Sequence, residues 1–258
     1  MSRDRLQTVG SMWRFAGNLS NDRTAALFVV GAVTALSWSY LYVIGNVDGA
    51  ADWIVRTVVP GPWSAGDTVA AFAFWNVALL AVMLPGAAPG AFDYVSASRW
   101  RGGGWWAAGL FVAGYASVWA TFAMVPTILH WILAQSYLLS PNLVLSSPLL
   151  GALMLIGAGI YQFAPPKRLE AEACPGGERW PQAGSAFLIG QELGALSLAA
   201  GWPLAALLVI GGAFNLFWVA GLAAFVFAEK SVSFRRSFTR AGGLWLVLVG
   251  LIVLAVSP

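Results

Sequence analysis

Few residues of this chain have side chains suited to chemistry, and they lie far apart. There is one cysteine, Cys174, and one histidine, His130, so the chain forms neither an internal disulfide nor a His–His metal pair. With Met83, these two are the weak candidates for holding a metal; soft sulfur ligands suit copper(I), and a neutral imidazole is a common ligand. With no second His and no nearby Cys, a lone histidine beside Trp131 is better accounted for as a residue of the interfacial aromatic belt. A second set is polar and lies inside apolar runs: Asn76, Gln191, Glu192 and Asn215. Glu192 and Asn215 flank a Gly201-Trp202-Pro203 break, which puts both ~15–20 Å from one membrane face on adjacent antiparallel helices. A protonated Glu192 bonded to Asn215 would serve as a proton relay or simply join two helices. No phosphate loop, dinucleotide fingerprint, zinc-hydrolase motif or Ser-His-Asp arrangement is present, and the chain is read as not an enzyme.

The elements that must position these residues follow from composition. Of the 258 residues, 59% are hydrophobic and 10% charged, against ~25% charged in an average soluble domain. The mean hydropathy is +0.74. A soluble fold of this size has too few charges to cover that much apolar surface. The basic balance, +3 at neutral pH, fits cytoplasmic loops of a membrane protein rather than a nucleic-acid surface. The expectation is an all-α, polytopic transmembrane helix bundle of one domain, 24–258, preceded by a polar and basic cytoplasmic arm, 1–23. Ser20, Asn21 and Asp22 supply capping oxygens before the first apolar run, and the arm is either a short interfacial helix or unstructured.

Apolar runs place helices near 25–45, 69–84, 105–139 with a kink at Pro126, 147–163, 185–200, 204–228 and 241–256. Alternate loops carry 13 of the 14 Lys and Arg residues, Arg56 being the exception. The pattern predicts seven spans with the N-terminus in the cytoplasm of a bacterial inner membrane, six spans being the alternative if 185–200 lies in the interface. Ala186, Gly190 and Gly194 recur every fourth residue, and Ser197 and Gly201 nearly continue their face. Such a small-residue stripe lets helix backbones approach closely.

Four stretches resemble the predicted metal-binding integral membrane proteins of the domain-of-unknown-function 2182 family. They are FWNVALLAVMLPGAAP at 74–89, GYASVW at 114–119, YQFAPPKRLEAEAC at 161–174 and GGAFNLFWVAGLAAFVFAEK at 211–230. The resemblance implies a metal site whose ligands are largely missing here. Where the family has two cysteines four apart after Tyr-Gln, this chain has Glu170 and Cys174. The family's later cysteine cluster falls on Ser197, Ala200 and Gly201, ahead of Trp202, and a family histidine falls on Leu193. Of its methionine-rich helix only Met83 is kept, with Ala78, Leu79 and Val82 at the other places.

The expected function is therefore a non-catalytic membrane subunit or assembly factor that packs against other membrane proteins or itself. It has membrane lipids around it and no nucleic acid. The first alternative is copper handling, with copper as cofactor only if a partner supplies ligands. The second is a small-solute or proton-coupled transporter built on Glu192, Asn215 and the break at 201–203. A bound lipid, quinone or pigment is a variant of the first reading.

Overall fold

The structure, a computed structural model, describes residues 3–47, 49, 52–97, 104–172, 186–232 and 234–256. Its helices are α1 (Arg3–Asn46), α2 (Asp52–Val58), α3 (Ala65–Met83), α4 (Ala88–Ala97), α5 (Gly104–Phe122) and α6 (Met124–Gln135). They are followed by α7 (Pro148–Tyr161), α8 (Pro165–Glu172), α9 (Ala186–Ala206), α10 (Leu208–Gly211), α11 (Leu216–Ser231) and α12 (Arg235–Val256). Among the described residues there is no strand, only an isolated bridge between Leu139 and Leu145. Five stretches are long and apolar enough to cross a membrane: Thr24–Asn46, Ala65–Met83, Trp105–Gln135, Ala186–Gly211 and Arg235–Val256.

The exterior carries many large apolar side chains. Leu244, Trp245, Leu248, Leu251 and Ile252 of α12 are all exposed, a surface that water would not tolerate but hydrocarbon does. The centre is filled by Phe74 and Trp75 of α3 and by Tyr115 and Trp119 of α5, none more than 1% exposed. Trp105 and Trp106 are exposed at the start of α5, where belt residues belong.

Two helix pairs meet backbone to backbone. A Cβ added at Gly190 of α9 would run into the Phe111 carbonyl of α5, and one at Gly114 of α5 into the Phe187 carbonyl of α9. At Gly194 the nearest atom, the Tyr115 carbonyl oxygen, is 3.1 Å away. Ala186, Gly190, Gly194, Ser197 and Gly201 are all buried. The small-residue face of α9 is thus covered by α5, inside this chain. On the other side, Gly159 and Gly250 bring α7 and α12 together in the same way.

The break expected at 201–203 is not there: α9 runs through Pro203 to Ala206. Proline has no N–H, so the carbonyl four residues earlier, that of Ala199, loses its helical donor. The Tyr161 hydroxyl of α7 supplies one instead, at 2.6 Å. The chain turns later, at Gly212 (φ 81°), and α9 has its close neighbour in α5 rather than in α11. Pro126 does act as expected, since the helix is interrupted at Ala123 between α5 and α6. The Ser20–Asp22 cap is a second correction. The helix α1 is continuous from Arg3 through those residues into the first span.

Candidate functional site

Three of the positions that the resemblance marks as ligands, Met83, Ser197 and Gly201, come together. Met83 closes α3 and is fully buried, as are Ala78, Leu79 and Val82 to within 1%. Ser197 is 1% exposed and lies one helical turn before Gly201 on α9, so both face the same way. A Cβ at Gly201 would stand 3.7 Å from the Met83 sulfur and 3.8 Å from the Trp119 ring. Met83 and positions 197 and 201, where the resemblance implies sulfur ligands, therefore share one buried locus, reached from α3, α5 and α9.

A directed chain of hydrogen bonds runs through that locus. The Tyr115 hydroxyl donates to the Met83 carbonyl at 3.0 Å, which uses its single proton. Ser197 Oγ, 2.9 Å away, must then donate to the Tyr115 oxygen. Lys230 Nζ of α11 donates to Ser197 Oγ at 2.6 Å. The lysine stem passes over Gly86, where a Cβ would come 2.8 Å from the Lys230 Cδ. Four parts of the fold are joined by three bonds that polarise one another.

Next to Lys230 in sequence, Glu229 makes a different contact. Its carboxylate takes two bonds from Lys167 Nζ, at 2.7 and 2.9 Å, and one from the Thr239 hydroxyl at 2.9 Å. Both charged side chains are about 95% buried, so α8, α11 and α12 are pinned together by a dry ion pair. Arg235 Nε also bonds the Glu229 carbonyl at 3.0 Å. Such a pair adds little net stability, but breaking it leaves an uncompensated buried charge. Glu229→Gln should cost about 3 kcal/mol or more in denaturant unfolding of the protein in micelles. The double change Lys167→Met, Glu229→Leu should recover most of that loss. Glu229, Lys167, Lys230, Tyr115 and Thr239 are absent from the residues that the sequence points to. The readable sign was Glu229-Lys230, two opposite charges at the very end of an apolar run, and Lys167 directly after Pro165-Pro166.

The expected polar pair does not form. Glu192 is exposed on α9, and Asn215 caps α11, its Oδ1 accepting from the Trp218 amide at 3.2 Å. Gln191 Nε2 bonds Ser117 Oγ across the α5–α9 contact at 3.3 Å, and Asn76 is half-buried on α3. His130 is buried within the fold, 1% exposed. Its Nδ1 accepts from Trp75 Nε1 at 3.4 Å, so the neutral ring carries its proton on Nε2 and has no lone pair left for a metal. The Trp63 ring stands edge-on to it at 4.9 Å. Cys174 lies outside the described residues.

The donors at the locus do not make a copper(I) centre by themselves. Met83 offers one neutral thioether, Ser197 a hard hydroxyl already committed to two bonds, and Gly201 nothing, while an ammonium points at position 197. Among the described residues no three His, Cys, Asp or Glu side chains are grouped to hold a metal ion. A family model described as PpoB2, copper chaperone, matches residues 72–253. No curated protein and no solved structure matches the chain.

Proposed function

Because the chain belongs to the PpoB2 copper chaperone family, we propose that it takes part in copper handling within a membrane, as a non-catalytic protein that contacts copper through ligands completed by a partner. The observation behind this is the convergence of Met83 with positions 197 and 201 at one buried locus within the matched residues, where the resemblance implies sulfur ligands. The family match moves copper handling ahead of the pure subunit or assembly role. With Glu192 and Asn215 apart and α9 unbroken, the transporter reading loses the features that motivated it.

The setting we propose is a bacterial inner membrane crossed seven times, by the five long stretches together with α7 and α11, with the N-terminus in the cytoplasm. The segregation of basic residues supports it. Reporter fusions at residue 233 and at the C-terminus should then report opposite sides of the membrane; the same side for both would remove the last crossing.

Copper handling is tested in the source cells. Deleting the gene should lower the copper bound in at least one membrane copper protein, and the chain's return should restore it. Unchanged copper occupancy throughout the membrane fraction would contradict the proposal.

A further inference from the structure

The connection from α2 to α3 reads Val59-Pro60-Gly61-Pro62-Trp63-Ser64. Pro60 and Pro62 bring no N–H and fix their own backbone angles, so the stretch does not coil, and Gly61 carries the one amide between them. Its ends are anchored. Ser64 closes a capping box with Asp67 at the start of α3, and Arg56 of α2 bonds the Asp67 carboxylate at 3.2 Å. Its middle is held from another helix. The Gln135 side chain, at the end of α6, accepts from the Gly61 amide at 3.1 Å and donates to the Gly61 carbonyl at 2.7 Å. Val59, Pro62 and Ser64 are exposed, so the stretch lies at the surface.

This strap lays Trp63 against His130, the two rings meeting edge-on at 4.9 Å. His130 is little more than one turn before Gln135 on α6. With the strap down, His130 Nε2–H and Trp63 Nε1–H are both buried and have no acceptor among the described residues. Lifting the strap would give both donors to water. Closure is therefore opposed by two unmet donors and favoured by the Gln135 pair and the packing of Trp63, effects of similar size. A segment balanced in this way opens locally without unfolding the bundle. We propose that residues 59–64 are a cover over His130, with Gln135 as its latch. Opening exposes the chain's one imidazole at the membrane face where α3 begins. With the cover closed, the Nδ1 lone pair is engaged by Trp75 and Nε2 bears the proton, so the ring offers no free nitrogen. Once open, the ring exchanges its proton with water and Nε2 is freed.

Diethyl pyrocarbonate tests it, because it carbethoxylates an imidazole at a free ring nitrogen and the chain has one histidine. The probe is applied to the untagged full chain in micelles at neutral pH, and mass analysis follows the peptide bearing His130. The parent should react about tenfold or more slowly than free N-acetylhistidine. Gln135→Ala deletes both latch bonds and should speed the reaction about five- to a hundredfold. Trp63→Ala should speed it as well. Ser136→Ala is the control. It removes a hydrogen bond at the same helix end, to the Ile132 carbonyl, without touching the strap, and should leave the rate unchanged. Should Gln135→Ala aggregate, Gln135→Glu keeps the bond from the Gly61 amide, loses the one to its carbonyl, and should react at an intermediate rate. A parent as reactive as free N-acetylhistidine, or a parental rate in the Gln135 variants, would overturn the proposal. So would an equal acceleration by Ser136→Ala, which would mean general loosening of the helix end.

Discussion

Ser197→Cys combined with Gly201→Cys should make the chain bind about one copper(I) ion more than the parent, because soft thiolates are what the locus lacks. The two positions are one turn apart on α9, so their side chains lie about 5–6 Å apart on one face, a span that one metal ion can bridge. The first carbon of a side chain at Gly201 fits, meeting Met83 and Trp119 at ordinary contact distances of 3.7 and 3.8 Å. At position 197 the new thiol sits where Lys230 now bonds a hydroxyl at 2.6 Å, and a neighbouring ammonium favours the thiolate that copper needs. Elemental analysis of chelator-washed protein reloaded with copper(I) would check it. The parent chain should stay well below one equivalent under the same treatment, as should Cys174→Ser. One equivalent on the parent that vanishes in Cys174→Ser would move the copper contact to the 161–174 segment.

Gly190→Leu should abolish assembly of the bundle. The added side chain has no rotamer that helps, because its first carbon already collides with the Phe111 carbonyl on α5. Relief requires α5 and α9 to separate along their contact, at a cost of about 3 kcal/mol or more. The reciprocal Gly114→Leu, against the Phe187 carbonyl, should fail in the same way. Gly109→Leu and Gly221→Leu are the controls: a Cβ at either meets nothing within 4 Å, so both should assemble normally. Monodisperse elution in mild detergent reads all four. Normal elution of Gly190→Leu would mean that α5 and α9 are not in backbone contact.

How much of this was legible in the sequence depended on whether the signal was local. Apolar runs gave the helices, and the four-residue recurrence of Ala186, Gly190 and Gly194 marked a face that the fold covers with α5. Trp202-Pro203 misled because the partner that repairs the helix, Tyr161, lies 38 residues away in the chain. No local rule says that a hydroxyl on another helix will replace a missing amide. The same holds for Ser197: its neighbours in sequence show a small polar residue in a small-residue stripe. Only the fold brings Tyr115, 82 positions away, and Lys230, 33 positions away, onto its oxygen. His130 is a further case: only the fold brings Trp75 and Trp63 against its ring. Lys230 and Lys167 counted toward topology as loop charges, yet each reaches back from a helix end into the bundle.

Under the copper-handling proposal, Met83 and positions 197 and 201 form one copper locus. Copper X-ray absorption on the Ser197→Cys, Gly201→Cys protein tests it most directly. Three sulfur neighbours around copper, falling to two when Met83→Leu is added, is the predicted result. A coordination shell that ignores Met83→Leu, or one built on a nitrogen lost in His130→Phe, would contradict it.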